Sequence, residues 1–312
     1  MAQYSSQGTD HLSKVNPINF KINTADGVEL SGRSYTPKHI QPRAVVICAH
    51  AMMVDLRTFE KSGFAQILAS RGYVVCLFNF RGRDLNGPKD WSYDDLVLKD
   101  VPAVISTIES RHPDLPLIWL GHSLGGHVGL AAQRYQSTAP IQAMVLVSTN
   151  VWLPSLEPHP GRRLRKALYM LFGRMIIGLL GTIPVKKMRF GTVDEGATYL
   201  KDLISWWRCD RWTCTIDGAN YLAHLKGLSC PLLSVVGDQD TLEAHPEATH
   251  AFLSSFEPEN STLIIANEQW SNGQAPADHM RLITSKHSAP GWQRICDWLD
   301  ELKLSQPKDP RQ

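Results

Sequence analysis

The chain of 312 residues has no run of about eighteen uncharged apolar residues, the length a membrane-crossing helix needs. Its opening residues, Met1-Ala2-Gln3-Tyr4-Ser5-Ser6, lack the basic start and apolar stretch of a secretory leader, so a cytoplasmic location is the expectation. The six cysteines, Cys48, Cys76, Cys209, Cys214, Cys230 and Cys296, contain no C-x-x-C pair and read as reduced thiols, two of them inside buried strands. Cys209 and Cys214 are close enough to pair only in an oxidising compartment. Twelve histidines include no H-E-x-x-H, so the pattern calls for no metal and no cofactor. A net charge near +2 with 20% charged residues gives no reason to expect a nucleic-acid partner. Internal repeats and low-complexity tracts are also missing, and only 306–312, with two prolines, reads as a frayed tail.

A chain of this length with 43% hydrophobic residues can bury one large core with an insertion. The segments 18–22 and 28–35 flank Ala25-Asp26-Gly27 and predict a hairpin. Alternating units follow: strand 44–49, helix 58–70, strand 73–78, helix 94–111, strand 117–120, helix 124–135 and strand 143–147. The pattern stops after Asn150 and resumes with strand 231–237, a helix, strand 262–266 and a last helix 290–304. Uniformly apolar strands separated by helices predict an α/β fold with a parallel sheet covered on both faces. Residues 1–150 and 228–312 then form the core domain. The intervening 151–227 is too long for a structureless loop and is expected to be a helical cap over the C-terminal edge of the sheet, where open α/β sheets bind ligands.

Gly121-His122-Ser123-Leu124-Gly125 lies between a strand and a helix, the setting of a nucleophile elbow. A serine hydroxyl needs a histidine to take its proton and a carboxylate to orient that histidine. Val235-Val236-Gly237-Asp238-Gln239-Asp240 offers two aspartates past a buried strand; Asp240 is preferred, with Asp238 read as a turn or cap residue. His279 and His287 both precede the terminal helix, and His279 is preferred. The order Ser…Asp…His is that of α/β-hydrolases. An oxyanion needs two preorganised N–H donors: Leu124 is one, and the second should come from His50-Ala51-Met52-Met53, with Met52 placed ahead of Ala51. His50, His122 and His127 read as packing or orienting residues.

Over about 18–304 the chain resembles the α/β-hydrolase superfamily, and in particular the bacterial α/β-hydrolases related to serine aminopeptidase and monoacylglycerol-lipase-like domains. The resemblance rests on Gly72-Tyr73-Val74-Val75, Phe80-Arg81-Gly82, Lys99-Asp100-Val101-Pro102-Ala103-Val104, Gly121-His122-Ser123-Leu124-Gly125-Gly126, Gly237-Asp238-Gln239-Asp240 and His279-Met280. It implies a mostly parallel eight-stranded sheet with a helical cap, and a serine hydrolase acting on a small-molecule acyl substrate. Members split esters, thioesters and amides, so the resemblance does not choose the bond. The chain departs from the family pattern at Ala51, Asn79 and Asp278, where the family more often has Gly, Asp and Gly.

The leading expectation is a carboxylic ester with an apolar acyl group, cleaved through an acyl-enzyme. Thioester hydrolysis or acyl transfer would use the same groups. Peptidase action would need a cap carboxylate for the substrate amine, such as Asp194 or Glu195, and a catalytically silent binding protein is the alternative of a different class. Between Arg162 and Arg189 the insertion carries eight cations and no acid, interleaved with leucines, isoleucines and methionines. Three readings stand: a solvated helix face, a peripheral membrane contact, or recognition of an anionic ligand. The apolar face would suit an acyl-binding wall, and Trp206, Trp207 and Trp212 either line the pocket or pack the core. The oligomeric state is not legible in the sequence.

Overall fold

The computed structural model describes residues 15–135, 141–181 and 183–304; the opening residues and the 306–312 tail lie outside the described residues. Strands β1 (Ile18–Asn23) and β2 (Glu29–Tyr35) alternate buried and exposed positions, as expected of a hairpin with one face on the core. In contrast β3 (Ala44–Ala49), β4 (Tyr73–Phe78), β5 (Leu117–His122) and β7 (Leu232–Gly237) are buried at every position. With β6 (Ile141–Val147) and β8 (Ser261–Ala266) they make one eight-stranded sheet ordered β1-β2-β4-β3-β5-β6-β7-β8. Among the described strands of this sheet, only β1–β2 and β2–β4 pair antiparallel. Uninterrupted apolar runs fit this plan because a parallel strand needs cover on both sides, and separate apolar clusters fill the two faces.

Several helices differ from their sequence outlines for local reasons. The expected helix 58–70 is two, Arg57–Ser62 and Phe64–Ser70, broken where Gly63 takes a left-handed φ of 89°. The helix over 94–111 includes a π-turn, Leu96–Asp100, ahead of Pro102, which has no N–H to continue the ladder. The elbow helix ends at Ala132 and tightens into a 3-10 turn, Gln133–Tyr135.

Between β6 and β7 the chain forms helices Pro160–Leu180, Val185–Met188, Ala197–Cys209 and Tyr221–Leu225. This segment grips the loops leaving the C-terminal ends of β3 and β4. Tyr199 N–H donates to Trp91 O at 2.8 Å, Asp202 accepts the N–H of Tyr93 at 2.9 Å, and Asp94 accepts from Thr215 N–H and the Tyr221 hydroxyl. The Tyr93 ring sits edge-on to Trp206 with centroids 4.6 Å apart, and Trp212 and Tyr221 close the same cluster. Trp206 and Trp212 are therefore core residues.

The apolar stripe of Pro160–Leu180 does not form an inner wall. Arg162 and Lys166 point inward to the buried Glu157, at 2.9 and 2.7 Å, and Leu164, Leu168, Leu171 and Leu179 are exposed. Satisfying two buried cations on a carboxylate sets the rotation of the helix and leaves the leucines outside. All six cysteines are free; Cys209 is exposed and Cys214 buried.

Candidate active site

Ser123 sits where β5 turns into the helix Leu124–Ala132, with φ 50° and ψ −113°. Such a turn requires close backbone approach, and the flanking glycines provide it. A Cβ on Gly121 would lie 2.3 Å from Gly126 N, and one on Gly125 would lie 2.2 Å from the Ala49 carbonyl oxygen. The second contact brings the end of β3, and so the loop beginning at His50, against the start of the elbow helix. Leu124 opens that helix, so its N–H has no intrahelical partner. Met52 is half-buried in the facing loop and Ala51 is buried. No protein acceptor takes the Met52 N–H among the described residues.

His279 Nε2 lies 3.0 Å from Ser123 Oγ, and His279 Nδ1 lies 2.7 Å from Asp240 Oδ2. Ser123 and His279 are half-buried and Asp240 is buried. Burial alone would raise the Asp240 carboxyl, but the hydrogen bond and charge of His279 and the nearby N–H groups of Ala244 and Leu242 hold it below the usual carboxylate range. The β7 end makes this approach feasible. Gln239 N–H donates to Ala277 O at 3.0 Å, and a Cβ on Gly237 would fall 1.8 Å from that same oxygen. The loop carrying His279 thus lies directly on the strand end carrying Asp240. Asp238 is exposed, and so is His287, whose N–H donates to Ser285 Oγ. Neither joins the cluster. A hydroxyl, an imidazole and a buried carboxylate in this sequence can pass the hydroxyl proton to Nε2 while Nδ1–H stays on the carboxylate.

The histidines around the site are held neutral. His122 is fully buried, and burial pulls it down to about 3; its Nε2 donates to the His279 carbonyl at 2.8 Å. Burial, helped by the Arg83 charge, brings His50 to about 3 as well. His50 Nδ1 donates to Ala51 O at 2.7 Å and its Nε2 accepts the Phe80 N–H at 3.2 Å, tying the β3 loop to the β4 loop. His127 packs on Tyr93, whose hydroxyl lies 3.0 Å from its Nδ1. At the departures from the family pattern, Asn79 accepts the Leu56 N–H at 2.9 Å and donates to Asp84. Asp278 accepts the N–H groups of Met280 and Arg281 and pairs with the Arg281 side chain.

Glu195, which the sequence offered only as a possible holder of a substrate amine, takes a different place here. Glu195 is fully buried, forms an ion pair with Arg83 at 2.6 Å and accepts the N–H of Met53. Burial pushes its carboxyl up, against the Arg83 charge and the Met53 N–H. Met53 has a left-handed φ of 62°, and its carbonyl accepts from Thr192 and Val193 N–H. The loop that holds Met52 is clamped from both sides by the segment following the helix Val185–Met188. No local pattern marks this pairing; the partners are 142 residues apart.

Asp240, Glu243 and His279 bring possible ligand atoms within 4.8 Å of one another, but the His279 nitrogen nearest Asp240 is the one that shares its proton. A depression of about 490 Å³ is lined by Asp240, Glu243, His279 and Arg281, and Ser123 is not in its wall.

A family model described as "Serine aminopeptidase, S33" matches residues 40–270. The chain belongs to this family. Membership places it in the α/β-hydrolase superfamily, in agreement with the eight-stranded sheet. It is 26% identical to a monoacylglycerol lipase of Mycolicibacterium smegmatis over 69% of this chain and 76% of that protein. It is 31% identical to mouse lipase member N over 36% of this chain, and spans about a third (33%) of that relative's length. Among solved structures, an esterase of Pyrococcus furiosus superimposes with a TM-score of 0.63 at 20% identity, covering 94% of this chain and 93% of that one. An esterase of Thermogutta terrifontis gives 0.59 at 16%, covering 91% and 98%. At these identities the structural neighbours speak for the fold alone. No helix among the described residues is long and apolar enough to cross a membrane.

Proposed function

We propose that this family member is a serine hydrolase that cleaves carboxylic esters with an apolar acyl group through an acyl-enzyme. The observation that carries the reading is the pair of hydrogen bonds from Ser123 Oγ to His279 Nε2 and from His279 Nδ1 to Asp240 Oδ2. Ser123 Oγ attacks the ester carbonyl and passes its proton to His279 Nε2. The N–H groups of Leu124 and Met52 receive the oxyanion. His279 returns the proton to the leaving alkoxide, which departs as the alcohol. Water then repeats the sequence on the acyl-enzyme, releasing the carboxylic acid and restoring Ser123. Residues 151–227 act as a cap over this site, attached through their contacts with Trp91–Asp95 and Met53.

Two observations favour esters over peptides. The named relatives are lipases, and the buried cap carboxylate, Glu195, is committed through Oε1 to the Arg83 guanidinium, which neutralises its charge, and to the Met53 N–H, while Asp194 is exposed and accepts the Lys186 N–H. The test is labelling of the purified protein with a fluorophosphonate probe, with Ser123→Ala as control, followed by p-nitrophenyl esters of increasing chain length. Labelling lost in the variant and a rate optimum at a medium or long acyl chain are expected. A well-folded protein that does not label would overturn the enzyme reading in favour of a silent binding protein. Labelling with no ester turnover, but with thioester or amide turnover, would move the bond class.

A further inference from the structure

We propose that the outer face of the helix Pro160–Leu180, continued by the basic turn to Phe190, docks this protein on the surface of an anionic lipid bilayer. Leu164, Leu168, Leu171, Phe172, Met175 and Leu179 are exposed, Leu179 by 77%. At 3.6 residues per turn their positions fall within an arc of about 100°. The stripe is about 22 Å long at 1.5 Å per residue. The opposite face is the one anchored to the protein: Lys166 pairs with Glu157, and Arg162 with Glu157 and Glu247. The helix is therefore amphipathic in the inverse sense to an ordinary surface helix, with its buried face held by ion pairs and its solvent face apolar.

The occupant follows from charge. Between Glu157 and Asp194 the chain has no acidic residue. Arg165 and Arg174 border the stripe, Arg163 is turned to the Glu157 carbonyl on the anchored side, and Lys186, Lys187 and Arg189 follow beside Phe190, itself 63% exposed. No carboxylate pairs with Arg165, Arg174, Lys187 or Arg189 among the described residues. A second copy of this chain would bring two such cationic borders together. A bilayer with anionic headgroups instead offers acyl depth for the leucines and phosphate for the flanking cations, whose long stems let the charge remain at headgroup level. The inference does not depend on the proposed chemistry, because binding is read without turnover.

The experiment is co-sedimentation of the full chain with vesicles of phosphatidylcholine alone and with added phosphatidylglycerol, at low and high salt. Two triple variants are compared: Leu168→Gln/Phe172→Gln/Leu179→Gln and Arg165→Glu/Arg174→Glu/Lys187→Glu. All six side chains are exposed, and circular dichroism checks that the variants fold. Wild type should pellet with the anionic vesicles and release at high salt, and each triple variant should bind about tenfold or more weakly. Wild type left in the supernatant, or an apolar variant that binds as wild type does, would overturn the proposal. So would a wild-type dimer on light scattering that the apolar variant dissolves, since the face would then belong to a second copy.

Discussion

His122 Nε2 donates a hydrogen bond to the main-chain carbonyl of His279, 2.8 Å away. The residue before Ser123 thus holds the backbone of the residue whose ring meets Ser123 Oγ. A neutral, buried imidazole suits this task because it presents its N–H without carrying charge into the core. In His122→Phe the ring volume is retained and the donor is lost. We expect kcat on a p-nitrophenyl ester to fall about tenfold, the equivalent of one hydrogen bond's worth of positioning, with KM nearly unchanged. A variant that melts earlier yet turns over at the wild-type rate would show that the bond serves only stability.

Glu195 links the oxyanion loop to the segment between β6 and β7, and its two replacements separate its roles. Glu195→Gln keeps an acceptor for the Met53 N–H but leaves Arg83 without its counter-charge, whereas Glu195→Ala removes both. Breaking a buried ion pair from one side costs about 3–5 kcal/mol, so both variants should unfold at lower denaturant. If the loop geometry matters to the reaction, kcat should drop further in Glu195→Ala than in Glu195→Gln, by about tenfold. Equal kcat in the two would separate Met53 from the chemistry.

The strands were legible because a covered parallel strand is apolar throughout, and the elbow because close backbone approach demands glycine at 121 and 125. The side chains chosen from spacing and order, Ser123, Asp240 and His279, meet within hydrogen-bonding distance. Their order along the chain and their distance past a strand end survive folding unchanged. What escaped was pairing at long range. Glu195 with Arg83, and Asp202 with Tyr93 N–H, join residues about a hundred apart; the sequence offered Glu195 only as a possible amine holder and marked no partner for either acid. Periodicity also located the apolar stripe of Pro160–Leu180 without its direction, because which side turns inward depends on Glu157 and Glu247, outside the helix.

Asp202 gives the fold a pH dependence whose sign can be worked out. Burial, reinforced by the negative charges of Asp94, Asp95 and Asp90 and opposed by the Tyr93 N–H, raises its carboxyl to about 6. Unfolded, it titrates near about 3.9. Its contribution to stability is therefore fully present below about pH 4 and lost as pH rises through about 6. Asp202→Asn retains an oxygen for the Tyr93 N–H and cannot ionise. The variant should match wild type near pH 4 and exceed it above pH 7, on the order of 1–3 kcal/mol by urea unfolding. Parallel stability curves across this range would mean that the cluster of aspartates is better solvated than its burial implies.

Ser123 holds φ at 50° and ψ at −113°, a conformation that costs an L-residue on the order of 1–3 kcal/mol and that glycine adopts freely. The fold keeps this strain because Gly121 against Gly126 and Gly125 against Ala49 leave the turn no other path. Removing the hydroxyl alone, in Ser123→Ala, should abolish turnover and leave the strain in place. Ser123→Gly should abolish turnover and release the strain, so it should melt several degrees above Ser123→Ala despite losing the same hydroxyl. Glycine also loosens the unfolded chain, which offsets up to about 1 kcal/mol of the gain. A Ser123→Gly variant less stable than Ser123→Ala would mean that this entropy outweighs the strain, and that the elbow is relaxed around its serine.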